Sequence, residues 1–146
     1  DSNVMFLKNY AKNKSFENFL KIKKKYKIKS VAIWCANNLE SQIFIDICKS
    51  TNVNILNFIS KSLLANQKRN KFNSMLSDIY KTKPDMLFIT DVENQDLITS
   101  QLVKRIHLNK VLPIVKLYKN NNDVNSSIVL LNKVELNKIF DFEITL

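Results

Sequence analysis

The sequence predicts a single α/β domain, a three-layer Rossmann-like (flavodoxin-like) parallel sheet with helices on both faces. Three observations carry that expectation. Near-continuous apolar runs, VAIW at 31–34 and MLFI at 86–89 among them, alternate with stretches of helical periodicity, the pattern of strands covered on both faces. The 146 residues suit one core, spanning 1–146, rather than two. No internal repeat or low-complexity linker divides the chain.

The elements follow in order. Val4–Leu7 is a short apolar stretch, after which Ser15 is placed to cap a helix whose apolar face holds Phe16, Phe19, Leu20 and Tyr26. That helix closes on KIKKKYKIK (21–29), where cations complement the negative helix end. Val31–Trp34 is the first strand. The next helix begins near Leu39, buries Ile43, Ile47 and Cys48, and stops at STN (50–52). VNILNFIS (53–60) is a second strand with Val53, Ile55 and Phe58 expected inside. A basic segment then becomes helical toward Met75, Leu76, Ile79 and Tyr80. The clearest strand is Pro84–Asp91, with proline at its start, where a strand accepts it. A helix follows with Asn94 as its cap and Leu97, Ile98, Leu102 and Ile106 at helical spacing. VLPIVKLY (111–118) is a strand and KNNND (119–123) a loop, SSIVLLN (126–132) a short strand, and KVELNKIF (133–140) a closing helix.

Composition narrows the function classes. A hydrophobic content of 45% and a mean hydropathy of -0.17 argue against wholesale disorder. No apolar run approaches the ~20 residues of a membrane span. The start, Asp1-Ser2-Asn3, is polar with no long apolar segment behind it, so no signal peptide is expected, and the missing initiator Met suggests a fragment or processed product. Twenty-three Lys and Arg against thirteen Asp and Glu give a net charge of +10, the electrostatic footprint of a domain that meets a polyanion, most often nucleic acid. Lysine enrichment from an A/T-biased genome is the competing explanation. Cys35 and Cys48 are too far apart for a Cys-x-x-Cys pair, and His107 is the only histidine; buried thiols in a reducing compartment are expected, with no metal site.

The chain has no glycine at all. Left-handed turns can be built from its many asparagines, but a backbone cradle around a phosphate is harder to build, and no Walker or G-x-G-x-x-G motif exists. Asp91, with Glu93 and Asp96, follows a strand where ligands approach parallel sheets; these carboxylates also suit the start of a helix, and no catalytic His accompanies them. His107 reads as a solvated helix end. Ser60, Ser62 and Ser126 lack a nucleophile context. No catalytic residue, cofactor or small-molecule substrate is assigned. Two basic groups remain: Lys21–Lys29 interleaved with Tyr26, and Lys61, Lys68, Arg69 and Lys71 among asparagines. Exposed cations and amides suffice for phosphate contacts, without specificity of their own.

The order of segments resembles a known family. KPDMLFITDVENQDLITSQLVKRIHL…VLPIVKLYKNN is similar to the long signature of the bacterial-type ribosomal small-subunit protein two family, whose pattern runs Pro-Asp, apolar strand, Asp, helix, Leu-x-Ile-Pro, apolar strand, Asp-Thr-Asn. Pro84, Asp85, Asp91, Pro113 and Asn121 fall on it; Lys119 and Asn120 stand at the Asp and Thr positions. NFISKSLLAN (57–66) resembles the family's Asn-Arg-Trp-Leu-Gly-Gly-Met-Leu-Thr-Asn, matching at Asn57, Leu64 and Asn66, while Phe58, Ile59, Lys61 and Ser62 replace its Arg-Trp and paired glycines. VAIWCANN occupies the place of the family's strand and Gly-Thr-Lys-Lys turn, and VMFL that of its Ile-Ile-Asp-Leu entry segment. The family's helical hairpin between Met75 and Pro84 is absent, as is the N-terminal part with its Trp-Asn-Pro motif.

The resemblance implies a structural constituent of the small ribosomal subunit. Its partners would be small-subunit rRNA near the head–body junction and neighbouring ribosomal proteins. The drift toward A/T-type residues suggests a mitochondrial ribosome, with plastid or bacterial cytoplasm as alternatives. The residues expected on rRNA are Lys24, Lys25, Lys27, Lys61, Asn66, Lys68, Arg69 and Lys71. The rival expectation is a degenerate nucleotide-binding or sugar-modifying enzyme domain using the turn at Cys35–Asn38, where the missing glycines leave little room for a pyrophosphate.

Overall fold

A computed structural model describes residues 2–60, 69–104, 107–119 and 140–146 of the chain. Helix α1 (Ser2–Tyr26) leads into β1 (Ser30–Cys35), α2 (Leu39–Ser50), β2 (Asn54–Ser60), α3 (Arg69–Thr82), β3 (Met86–Ile89) and α4 (Gln95–Lys104). A 3₁₀ turn at Leu108–Lys110, β4 (Ile114–Lys119) and β5 (Phe140–Thr145) complete the order. The strands form one sheet in the order β2-β1-β3-β4-β5. The first four are parallel, as the alternation of strands and helices requires. Strand order 2-1-3-4-5 is the flavodoxin-like arrangement.

The fifth strand departs from the expectation of a wholly parallel sheet. It runs antiparallel to β4, from Lys119↔Phe140 to Ile114↔Thr145. Phe140, expected to end a closing helix, instead starts this strand; residues 133–139 and the strand expected at 126–132 lie outside the described residues. The reason is a two-residue alternation in FDFEIT: Phe142 and Ile144 pack on the core while Glu143 faces outward.

One face of the sheet is covered by α1 and α2, with Phe19, Ile28, Ile33, Phe44, Phe88 and Leu117 at its centre. Rings stack there in offset and edge-on pairs: Phe44 and Phe88 are 4.6 Å apart, Phe19 and Phe44 5.6 Å, Phe88 and Phe142 5.8 Å. The other face carries Trp34, Ile79, Leu87, Ile89, Ile98 and Leu102, drawn from the strands and from α3 and α4. Three layers result.

Local expectations fail where tertiary context wins. Ser15 does not cap a helix; it lies buried in the middle of α1, which also absorbs Val4–Leu7. Nothing between residues 2 and 26 breaks a helix, since neither glycine nor proline occurs there, and an internal serine costs only a fraction of a kcal/mol. Phe58, Leu97 and Leu20 are exposed rather than buried (60, 54 and 40%). Phe58 lies on an edge strand, beyond a register shift between Val31 and Ala32 that leaves Leu56 without a partner on β1. Strand β4 starts after Pro113, not at Val111: proline has no N–H for the ladder, and its carbonyl accepts from Leu87 N at 3.0 Å. His107 stands outside the helix, in left-handed backbone with φ 52°.

The missing glycines have a visible consequence. All four left-handed residues among those described, Lys27, Asn52, Lys83 and His107, follow a helix, where glycine is the usual residue. The closing hydrogen bonds form regardless. Ile28 N reaches Lys23 O at 3.1 Å, Val53 N reaches Cys48 O at 2.9 Å, and Lys83 N reaches Ile79 O at 2.9 Å. The chain thus holds C-terminal cap geometry with side chains present at every left-handed position.

Candidate nucleic-acid interface

A parallel sheet has two unlike rims. At the C-terminal rim, β1 leads to β2 on one side while β3 lies on the other, so the crevice between β1 and β3 is where such folds bind ligands. Here the side chains of the crevice bond to each other. Asn38 caps α2 by accepting from Ser41 N at 2.9 Å and donates its amide to Thr90 O at 3.0 Å. Ser41 Oγ lies 2.7 Å from Thr90 Oγ1 and accepts from Ala36 N at 3.2 Å, and Thr90 Oγ1 donates to Trp34 O. Donors at a helix N-terminus attract phosphate; Asn38 uses one of them itself.

Asp91 sits buried beside this network, and both of its carboxylate oxygens accept from the Asn94 amide, at 3.2 and 3.0 Å. Asn94 holds the cap position as expected, with its carbonyl accepting Ile98 N at 2.9 Å. The third carboxylate, Asp96, pairs with Lys116 at 2.9 Å, and Glu143 approaches the same ammonium at 3.6 Å. The hydrogen bond that Lys116 donates to Asp96, foremost, holds its ammonium protonated above the usual lysine range. Cys35 ends β1 rather than lying in the turn, its Sγ donating to Ile59 O at 3.4 Å; burial raises that thiol, and it pushes the fully enclosed Cys48 up to about 12. Both cysteines are free, and no group of three or more metal-ligating side chains occurs among the described residues.

The N-terminal rim is different. Each α-helix runs antiparallel to the strand it precedes, so all four helices end there, and each brings lysine: Lys24 and Lys25 in α1, Lys49 in α2, Lys81 in α3 and Lys104 in α4. These five are exposed, as are Lys27, Lys29, Lys83 and Lys110 in the segments that enter the strands. Cations at a helix C-terminus are favoured by its dipole, so the sequence pattern that stabilises each helix also gathers charge on one rim. Lys25 lies over the Tyr26 ring at 5.3 Å. Lys23 is used internally, donating to Thr51 O at 2.9 Å and so joining α1 to the end of α2. Asp85, at the entry to β3, also stands on this rim, and it accepts from Lys29 N and Ser30 N at 2.8 and 3.1 Å.

The eight expected RNA contacts are thereby divided. Lys24, Lys25 and Lys27 share the N-terminal rim. Arg69 and Lys71 stand in the first turn of α3, which follows the C-terminal end of β2 and so begins at the opposite rim, a strand length or roughly 20 Å away. Lys61, Asn66 and Lys68 lie outside the described residues. Lys29, Lys49, Lys81, Lys83, Lys104 and Lys110 are not among the expected contacts, although Lys49, Lys81, Lys83 and Lys104 can be found as the last-turn or post-helical lysines of helices that the periodicity already marks. Between the end of α3 and the approach to β4, the same rim opens a cavity of about 280 Å³ lined by Ile79, Tyr80, Lys83, Pro84, Val111 and Leu112.

No protein-family model and no curated protein matches the chain. Among solved structures, it is similar to an ABC transporter substrate-binding protein from Desulfitobacterium hafniense in complex with Leu, at 8% identity and a TM-score of 0.50, over 82% of this chain and 41% of that one. A second structure, of an ABC transporter substrate-binding protein from the same organism, matches at 9% identity and a TM-score of 0.50, over 88% of this chain and 42% of that one. The chain therefore spans about two-fifths of the length of these proteins, and at such identity the likeness concerns the fold alone: a Rossmann-like α/β fold.

Proposed function

We propose that this chain is a non-catalytic, structural constituent of a small ribosomal subunit, mitochondrial by its compositional drift, that holds rRNA on the N-terminal rim of its sheet. The observation that carries the reading is the convergence of lysines from all four helix ends on that rim. Exposed lysines neutralise phosphates without regard to sequence, and several on one surface make binding strong and salt-dependent. The sequence resemblance to the ribosomal small-subunit protein two family supports the ribosomal setting. Neighbouring ribosomal proteins have a place on edge strand β2, where Leu56 and Phe58 expose 41 and 60% of their surface.

A nucleotide-binding enzyme domain is the second reading, favoured by the strand order and its switch point. The self-bonded Asn38, Ser41 and Thr90 cluster weighs against it. Sedimentation of the full chain with purified small subunits separates the two. Co-migration at moderate salt, with release only at high salt, supports the ribosomal reading. Recovery as a free monomer that binds a mononucleotide, and loses it on Asn38→Ala, overturns it.

A further inference from the structure

We infer that the cavity at the N-terminal rim, between the end of α3 and Val111–Leu112, seats one unpaired base of the bound RNA. This inference rests on the RNA-binding reading and adds to it a definite subsite. The walls are apolar: Ile79 and Leu112 are buried at its floor, with Pro84 beside them, while Tyr80 and Val111 expose 47 and 57% of their surface at its mouth. Exposed apolar side chains that share a hollow mark a binding site better than scattered ones do. At about 280 Å³ the hollow is small for an extended ligand and suited to a single flat ring system.

Charge selects the occupant. Lys83 lines the cavity itself, and exposed Lys81 and Lys110 adjoin the lining residues Tyr80 and Val111 in sequence. No carboxylate is among the lining residues; Asp85, next to Pro84 in sequence, is held by two backbone amides. An apolar slot with an aromatic wall and a lysine in its lining fits a nucleotide, its base stacked on Tyr80 and a flanking phosphate on Lys83. Base stacking tolerates any base, since all four present a π-face, so sequence specificity is not required.

The test uses the full chain and two RNA hairpins of equal length, one fully paired and one bearing a single bulged 2-aminopurine. The bulged RNA is expected to bind about tenfold tighter, a 1.4 kcal/mol preference, with quenching of the bulge fluorescence on binding. Tyr80→Ala is expected to abolish both the preference and the quenching, and Tyr80→Phe to restore them. Tyr80 is half-exposed, so its truncation leaves the core intact. Equal affinity for the two hairpins, or a preference that survives Tyr80→Ala, overturns the base-seating inference while leaving the basic rim in place. Failure of both hairpins to bind overturns the RNA-binding reading and the inference together.

Discussion

Replacing Lys83 or Lys27 by glycine should stabilise this fold while loosening its hold on RNA. Both residues are left-handed, with φ of 51° and 55°. That conformation costs a residue with a Cβ about 1–2 kcal/mol. Glycine removes the cost but enlarges the unfolded ensemble, returning about 0.4–1 kcal/mol. A net gain of about 0.5–1 kcal/mol per site follows, worth about 1–4 °C in Tm for a domain of this size. Asn52→Gly should gain less, since asparagine tolerates the left-handed region. Thermal and urea melts of each variant give the stability change, with Lys21→Gly in the interior of α1 as the reference that should lose about 1 kcal/mol. In parallel, each lost rim lysine that contacts phosphate should reduce the slope of log K against log salt by about 0.9 on duplex RNA, taking the B-DNA value as a guide. Should Lys83→Gly and Lys27→Gly destabilise the chain as much as Lys21→Gly does, the cap geometry is wrong and the reasoning fails.

Three further outcomes are expected. Phe44→Ala, which removes the ring nearest Phe88 in the first core, should cost about 3–5 kcal/mol in urea unfolding, whereas Phe58→Ala on the edge strand should stay within about 0.5 kcal/mol. Asp85→Ala strips an acceptor from Lys29 N and Ser30 N and should cost about 1 kcal/mol; because it also removes a negative charge from the lysine rim, RNA binding should tighten, as filter binding will show. Alkali should weaken the fold. The unfolded Cys48 thiol loses its proton near 9.0, the folded one near 12, so between these values unfolding releases a proton and stability falls by about 1.4 kcal/mol per pH unit as pH rises. Lys116, raised by Asp96, acts in the same direction at higher pH. Melts from pH 8 to 11 measure the slope, which Cys48→Ala should reduce.

The fold was largely legible. Strands 31–34 and 86–89 are buried at every position, and such runs announce a doubly covered sheet without any knowledge of neighbours. What escaped depended on context. FDFEIT carries the alternation of a strand, but the helical spacing of KVELNKIF just before it masked the change of period at Phe140. Phe58 has the hydrophobicity of a core residue, and only its place on an edge strand beyond the register shift exposes it. The site was half legible. Each lysine cluster stands out in sequence, yet only the topology shows that Lys24 and Lys81 share a rim which Arg69 does not. The Tyr80 cavity unites residues about thirty apart, a distance that periodicity does not reach.

The claim that the N-terminal rim is the RNA surface meets its most direct test in one comparison of affinities for small-subunit rRNA. The triple variant Lys24→Glu, Lys25→Glu, Lys81→Glu reverses charge on exposed side chains of two helix ends and touches no core residue. Measured at fixed salt against Arg69→Glu, Lys71→Glu at the opposite rim, the triple variant should lose at least tenfold in affinity and the double variant far less. Unchanged affinity in the triple variant, or a larger loss from Arg69 and Lys71, would contradict the account and move the RNA to the other end of the sheet.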